Sequence, residues 1–485
     1  MTTNCALVRA LRRLLPRDAV LAEPEELKPY ECDGLSAYRR LPQVVVLPYT
    51  AEQVQAVLAW CYAHDVPVVA RGAGTGLSGG SLPQENGVLL CLGRLNRILA
   101  IDPANRTACL QPGVCNLAIS QAARPYGLYY APDPSSQIAC TIGGNVAENA
   151  GGIHCLKYGL TVNNVLGLVF LTAAGEEIRV GGSGLDGPGL DILAMLHGSE
   201  GLLGILTEVT VRLLPLPEAA RVLMAAFDSV TQAAEAVGAV IRAGLIPAGL
   251  EMMDKVTIKG VEDFLQVHYP QEAEAILLCE VDGFAAQVEE ELALAREVLV
   301  ASGACEVWVA SDETERQRFW AGRKAAFPAI GRITPDYYCM DGTIPRGRLA
   351  EVLAGIAQLS QKYGLRVANV FHAGDGNLHP LIMYDAAVPG ELERVERLGD
   401  EILALCVQVG GAITGEHGVG VEKLNGMCYQ FTLKELAQFH AVKRAFDPKG
   451  LLNPGKAIPT LARCIELGRA HVRGGQLGHP ELERF

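Results

Sequence analysis

No two cysteines of this chain stand closer than Cys109 and Cys115, although there are 14 of them. A C-x-x-C pair is therefore absent, and with it the spacing that iron–sulfur clusters and structural zinc sites use. Nor is the spacing that of a disulfide framework. The sequence predicts reduced thiols in a cytosolic chain, most of them filling core space. Positive charge is short as well: 41 Lys and Arg face 54 Asp and Glu, a formal net charge of −13. Sequence-independent nucleic-acid binding needs the opposite balance to neutralise phosphates. A local basic pocket for a carboxylate is still allowed. No run approaches the ~20 apolar residues of a membrane span, which limits any membrane association to a peripheral one. Internal repeats and low-complexity segments are also missing.

What the chain has is a globular composition, 49% apolar and 20% charged, over 485 residues. That length is too great for one ordinary core and predicts two or three domains. The Arg-rich, acid-poor start reads as a surface helix rather than a transit peptide. Residues 44–47 read as a buried strand and Thr50 with Gln53 as a capping box. Val54, Val57, Leu58 and Cys61 then form one helix face before a second strand at 66–70. This βαβ unit predicts parallel strands. Short strands and glycine turns follow. Ile205, Thr207, Val209, Val211 and Leu213 alternate with Leu206, Glu208, Thr210 and Arg212, the period of a strand. Leu214-Pro215-Leu216-Pro217 breaks that pattern and is the first predicted boundary. Beyond it, strands at 221–227, 276–281, 306–310, 338–345 and 366–371 are interleaved with helices, including 230–242 and 286–300. They predict an α+β domain with a mostly antiparallel sheet. Thr432 opens a capped helix that stops at Asp447-Pro448, and the tail from Leu451 has little periodicity.

Many of the 53 glycines are clustered. The strand at 66–70 runs into Arg71-Gly72-Ala73-Gly74-Thr75-Gly76-Leu77-Ser78-Gly79-Gly80. Successive N–H groups without side-chain obstruction make an anion cradle. Gly74 to Gly79 also spells G-x-G-x-x-G, but that dinucleotide fingerprint needs a helix directly after it and an acid about 20 residues on. Here Ser81, Leu82 and Pro83 intervene and a strand resumes at 87–90, so a Rossmann site is rejected. A plain turn is the alternative, and the glycine density favours a phosphate-binding loop. A second segment of small residues contains Pro132-Asp133-Pro134-Ser135-Ser136 and then Thr141-Ile142-Gly143-Gly144-Asn145-Val146-Ala147-Glu148-Asn149-Ala150-Gly151-Gly152. It suits the approach of backbone to a flat ring; alone it would read as a glycine-rich loop between strands.

Together with Lys157-Tyr158-Gly159 and Gly198-Ser199-Glu200-Gly201-Leu202-Leu203-Gly204-Ile205, these segments resemble the FAD-binding domain of the vanillyl-alcohol oxidase and p-cresol methylhydroxylase family. The resemblance implies a two-subdomain FAD domain over residues 1–217. It implies that Arg71, Gly72, Gly74, Thr75, Gly76, Ser78, Gly79 and Gly80 hold the pyrophosphate. Contacts nearer the flavin ring are implied for Pro132, Ser135, Thr141, Gly143, Gly144, Asn145, Asn149, Gly151, Gly152, Tyr158, Gly159, Glu200, Gly204 and Ile205, with Asn453 a further cofactor contact. Members that bind flavin covalently through the first loop carry a histidine where Thr75 stands, so FAD is expected to be non-covalent.

The second constellation is Phe371-His372-Ala373-Gly374-Asp375-Gly376-Asn377-Leu378-His379, followed later by Gly415-Glu416-His417-Gly418-Val419-Gly420. On one strand, residues seven apart point to opposite faces, whereas a glycine-bent loop brings them to one ligand. Two imidazoles and a carboxylate are a common ligand set for a divalent metal with open positions, in hydrolases as well as in redox enzymes. A single core histidine would mean little; three in two glycine loops beside an acid favour a site.

These motifs resemble the C-terminal domain of FAD-linked 2-hydroxy-acid dehydrogenases, a family acting on D-lactate, D-2-hydroxyglutarate or glycolate. The resemblance implies a substrate or cap domain over residues 218–430, and a C-terminal helix and tail, 431–485, packing back on the FAD domain. His372, His379 and Glu416 would bind a divalent metal (zinc first, manganese or iron as alternatives), with His417 as general base. Arg323, in Trp320-Ala321-Gly322-Arg323, would grip the substrate carboxylate with its planar fork. Residues 337–346, 367–377 and 480–485 further resemble the flavin-carrying subunits of bacterial glycolate-oxidising complexes. That likeness implies oxidation of glycolate to glyoxylate by hydride transfer to FAD. Electrons would pass to a second flavin-type subunit and an iron–sulfur subunit, then to the quinone pool, from a cytoplasmic complex held peripherally at the inner membrane. The 2-hydroxyglutarate enzymes carry a polar residue where Leu381 stands and a lysine where Cys339 stands, which argues against a second substrate carboxylate. A D-lactate dehydrogenase and a structural subunit that only holds FAD are the competing readings.

Overall fold

The computed structural model describes residues 2–184 and 187–464, so the segment 480–485 quoted above lies outside the described residues. Two compact units emerge. One comprises Met1–Ala150, Leu160–Pro215 and His417–Phe485, the other Gly151–Gly159 and Leu216–Glu416.

In the first unit the βαβ pattern holds. Helix Ala51–Ala63 buries Val54, Val57, Leu58 and Cys61, the face that the periodicity marks. The strands on either side of it, Val44–Val46 and Val68–Arg71, run parallel, with Val88–Cys91 between them and parallel to both. The Thr50 hydroxyl accepts from Gln53 N, while the Gln53 side chain takes the N–H of Tyr49 instead of Thr50, so the predicted capping box is half made. The N-terminal helix Thr2–Leu14 docks: Leu7, Leu11 and Leu15 join the core cluster that holds Val54 and Val57. A five-stranded antiparallel sheet has the order Ile98–Asp102, Thr107–Leu110, Ile205–Arg212, Val165–Leu171, Glu177–Gly181. Its central strand alternates buried and half-buried residues, as its period of two requires. Helix Leu433–Phe446 carries both halves of the Thr432–Glu435 capping box. After it the chain returns to the parallel sheet, where Val68 N donates to Leu451 O and Asn453 N to Val68 O, both at 2.8 Å. One expectation is corrected: Cys428 and Cys464 form a disulfide, with Cα atoms 5.2 Å apart, so not all the cysteines are free thiols. Their separation of 36 residues had given no cue.

The second unit is built on one antiparallel sheet of eight strands. Its order is Glu306–Val309, Ala219–Phe227, Ala275–Gly283, Gly249–Asp254, Val367–His372, Asn377–Tyr384, Asp336–Cys339, with Gly342–Thr343 also pairing with Asn377–Tyr384. Val222, Met224 and Ala226 pack with Ile258 and Phe319 on one face. The alternating Leu223, Ala225 and Phe227 are equally buried, so both faces of this strand are covered. That is why its strands read as continuous apolar runs rather than alternating ones. Acids in such runs, Glu251, Asp254, Glu280 and Asp282, are then buried polar groups that need partners.

Candidate functional site

Strands Val367–His372 and Asn377–Tyr384 form a hairpin in which Val370 faces His379 and His372 faces Asn377. His372 stands two residues beyond Val370, so its side chain shares the face on which His379 lies. The turn thus does what the seven-residue spacing alone cannot. The two imidazoles meet edge to face, ring centroids 5.0 Å apart. Gly376 makes the turn possible: its φ is +84°, and a Cβ there would lie 2.2 Å from Ile344 O.

Glu416 completes the group. Its Oε1 lies 3.3 Å from His372 Nε2 and 3.1 Å from His379 Nε2, and one donor atom from each residue falls within 4.8 Å of the others. Bonds of ~2.1 Å to a tetrahedral cation separate two ligand atoms by roughly 3.4 Å, so the spacing fits a divalent metal. The chemistry of the donors fits too. His372 Nδ1 is 2.8 Å from Glu251 Oε1, so hydrogen bonds from both its nitrogens would require a buried imidazolium. Burial alone would lower the His372 pKa, but the Glu251 and Glu416 carboxylates outweigh it and hold it well above the usual range. Conversely, burial would raise Glu416, yet its contacts with His372 and His379 hold it well below the ordinary carboxylate range. A divalent cation held by His372, His379 and Glu416 would replace those protons with one charge shared by all three groups.

Asp341 holds Glu416 in place. Completely buried, it accepts from Thr414 Oγ1 (2.6 Å), Gly415 N (3.0 Å) and Glu416 N (3.2 Å), and from Asn377 Nδ2 (2.8 Å). A Cβ on Gly415 would sit 2.0 Å from Asn377 Nδ2, which explains the glycine before Glu416. Arg323, on helix Glu313–Lys324, is 1% exposed and donates from Nε to Glu251 Oε2 at 2.7 Å. Its Nη2 is equally near that oxygen, so Glu251 sits against the Nε–Nη2 edge of the guanidinium. Arg323, His372, His379 and Glu416 are therefore brought together through Glu251. His417, next in the chain to Glu416, belongs to the first unit and is half-buried.

In the first unit, the strand Val68–Arg71 ends in the predicted glycine loop. Arg71 lies along it, donating from Nη1 to Cys32 O at 2.7 Å. A Cβ on Gly72 would be 2.4 Å from Thr141 Oγ1, so the two glycine segments touch. The second is not a loop: Thr141 caps a helix, Ile142–Glu148, that ends on left-handed Asn149. Gly143 packs on Pro112, where a Cβ would approach to 2.6 Å. Asn145 is buried and accepts from Asn116 Nδ2, which also donates to Pro132 O; Ser135 is exposed. Gly76 differs from its neighbours, for nothing lies within 4 Å of a Cβ built there. Close by in sequence, the fully buried Ser78 Oγ has no hydrogen-bond partner. Open space over one glycine and an orphaned hydroxyl fit a loop that receives a ligand.

Other predicted contact residues also bond within the protein. Glu200 accepts from Val419 N and Gly420 N, each at 2.7 Å. Asn453 donates to Gly80 O and Glu200 O. A Cβ on Gly204 would meet Phe170 at 2.5 Å, and Ile205 opens the central strand of the five-stranded sheet. Gly151, Gly152, Tyr158 and Gly159 fall in the second unit, where the Tyr158 hydroxyl is bound by Asp282. The sequence reading missed Glu251 and Asp341, and in the first unit Lys456. Lys456 donates to the carbonyls of Gly80 and Leu82, and burial pulls its pKa down to about 7. For Glu251 a signal existed: a lone acid between Leu250 and Met252 in an apolar strand.

The first unit thus carries a glycine loop, and the second a buried His–His–Glu group on a large antiparallel sheet. Residues 42–181 match the family described as "FAD binding domain", and residues 216–457 the one described as "FAD linked oxidases, C-terminal domain". The chain is 62% identical over 480 residues to the glycolate oxidase subunit GlcD of Escherichia coli (strain K12), covering 99% of this chain and 96% of that one. It is 33% identical over 461 residues to a D-lactate dehydrogenase of Anaerostipes hadrus, covering 93% and 96%. The solved structure of p-cresol methylhydroxylase with substrate bound has the same fold: TM-score 0.80 at 20% identity, over 95% of this chain and 98% of the other. The chain belongs to the FAD-linked oxidases, and is an FAD-dependent oxidoreductase of the p-cresol methylhydroxylase fold. Among the described residues, no helix is long and apolar enough to cross a membrane.

Proposed function

We propose that the chain oxidises glycolate to glyoxylate and hands the electrons to companion subunits. The substrate is that of the relative 62% identical along nearly the whole chain. The observation that carries the substrate class is Arg323: a buried guanidinium held on one edge by Glu251, and joined through it to the His–His–Glu group, suits a carboxylate that bears an adjacent hydroxyl. Arg323 holds the carboxylate. His417 takes the hydroxyl proton as general base. His372, His379 and Glu416 would hold a divalent cation, zinc first. When bound, that cation acidifies the hydroxyl, and non-covalent FAD supplies the hydride acceptor. The Arg71–Gly80 loop is proposed to hold its pyrophosphate, and the segments from Pro132 to Ile205 named above, with Asn453, to line the rest.

The domain limits carried forward are an FAD domain to residue 217, a substrate domain to 430 and a returning C-terminal segment. No cysteine cluster for an iron–sulfur relay is present in the sequence, so the sequence itself offers no such relay for the electrons of reduced flavin. The companions proposed are a second flavin-type subunit and an iron–sulfur subunit, leading to the quinone pool from a cytoplasmic complex peripheral to the inner membrane. The alternative of D-lactate has a specific support in the 33% identical relative. The test is the anaerobic visible spectrum of the purified chain before and after glycolate. Bleaching of the flavin bands is expected. Bleaching by D-lactate alone would move the assignment to that acid, and no flavin spectrum at all would overturn it.

A further inference from the structure

Glu251 occupies the middle of strand Gly249–Asp254, a position 1% exposed between Leu250 and Met252. Nothing about the strand asks for an acid there. A buried carboxylate is costly unless it is paired, and replacing such a pair with apolar residues is often neutral or stabilising. Its two oxygens are committed to two groups. Oε1 lies 2.8 Å and Oε2 3.0 Å from His372 Nδ1, and Oε2 also takes the Arg323 Nε proton at 2.7 Å. No other hydrogen bond reaches either oxygen among those described, so Glu251 links the second unit's two proposed ligand-binding groups.

We propose that Glu251 is a positioning residue that sets the metal ligand His372 and the substrate-binding Arg323 with one carboxylate. The inference rests on the reading of His372, His379 and Glu416 as a metal site. On the imidazole, a carboxylate at Nδ1 fixes the proton on that nitrogen. It leaves the Nε2 lone pair directed at the point where Glu416 and His379 converge, and makes it a stronger donor. On the guanidinium, it occupies the Nε–Nη2 edge and leaves the Nη1 side to receive a substrate carboxylate. A ring that rotated out of line would give up its bond to Glu251, and an arginine that turned its edge outward would give up its own. Asp341 does the corresponding work for Glu416 through the backbone, so ligands from both loops are backed by buried carboxylates.

The test uses the full-length, FAD-loaded chain, with zinc affinity measured by chelator competition. Glu251→Gln should weaken zinc binding about 10–100-fold while FAD content stays unchanged, and should raise KM for the hydroxy acid more than it lowers kcat. In a His372→Ala background the same change should cost no further zinc affinity, because its route to the metal is gone; in a His379→Ala background the penalty should persist. A residue needed only for folding would weaken binding in both. Glu251→Asp keeps the charge but shortens the reach. It should retain FAD and lose zinc affinity less than Glu251→Gln, which keeps the test alive if the amide variant fails to fold. Zinc held by both variants as tightly as by the unsubstituted chain would overturn the proposal alone. An unsubstituted chain that binds no zinc would overturn the metal reading, and the proposal with it.

Discussion

Gly76 separates what a glycine does for the fold from what it does for a ligand. At Gly74 a Cβ would lie 2.1 Å from Arg71 Nη2, and at Gly79 the φ of +73° and Val421 at 2.5 Å both resist a side chain. At Gly76 nothing stands within 4 Å of the added atom, and its φ is outside the left-handed range. Gly76→Ala should therefore leave the flavin-free chain within about 0.5 kcal/mol of its stability, or raise it by up to about 1 kcal/mol through the lost freedom of the unfolded state. If the pyrophosphate of FAD lies against this backbone, the methyl group intrudes on a packed contact, at a cost of ~1–3 kcal/mol. That is a loss of roughly 5–150-fold in FAD affinity, and Gly76→Val should lose more. The assay is a titration of the flavin-free variant with FAD, followed by quenching of flavin fluorescence, beside thermal melts without flavin. Gly79→Ala is the control: it should destabilise the flavin-free chain by about 1–2 kcal/mol. Unchanged FAD affinity in both Gly76 variants would refute the assignment of this loop to the pyrophosphate. A flavin-free melt as depressed as that of Gly79→Ala would refute the claim that the space above Gly76 is open.

Three further outcomes are expected. Replacing His417 with Ala should leave FAD bound and slow flavin reduction by substrate in stopped flow; an unchanged rate would remove it as the base. Burial alone would raise the Glu280 pKa, but hydrogen bonds from His154 and Arg316 outweigh it and hold it at about 2, against an ordinary 4.5. The stability this gives is present above pH 4.5 and is lost as pH falls toward 2, at most about 3 kcal/mol. Denaturant midpoints across that window should slope less in Glu280→Gln than in the parent, and parallel slopes would contradict the account. Finally, thiol titration of the denatured, unreduced chain should find no more than 12 of the 14 cysteines, since Cys428 and Cys464 are paired; a count of 14 would show that they are not.

Much of this was legible because local rules were strong. The 3.6-residue period gave the helix 51–63, the limits 230–242 were met residue for residue, and the alternation at 205–213 gave a central strand. The His372–His379 motif was legible as a pair, since glycines between histidines announce a turn. What stayed hidden depended on partners distant in the chain. Glu251 meets His372 across 121 positions and Arg323 across 72. Lys456 reaches Gly80 across 376, and no period connects such residues. The return of residues 151–159 to the second unit was hidden for the same reason, because chain order places them among residues of the first. The helix within the second glycine segment went unread because Gly143 and Gly144, poor helix formers, fall in its first turn.

The question of which acid fits turns on two positions that the sequence flagged separately and the fold joins. Cys339 and Leu381 are cross-strand partners. Both are buried, in one apolar cluster with Ile330, Ala368 and Met383. Leu381 stands two residues after His379 on the same strand, hence on the same face. Phe327, packed against that cluster, also touches the His379 ring edge to face, with centroids 6.3 Å apart. On that side the imidazole is thus bordered by hydrocarbon and a thiol. A second carboxylate placed there would lose its hydration without a partner, a penalty of several kcal/mol. One polar substitution would not repair it, since the residue opposite would remain apolar. This wall therefore rejects a dicarboxylate strongly but a methyl group weakly, for an added methyl in such a setting changes discrimination by only ~1–3 kcal/mol. Glycolate and D-lactate are then expected to differ in rate by tens of fold, while a hydroxy diacid should fail as a substrate altogether.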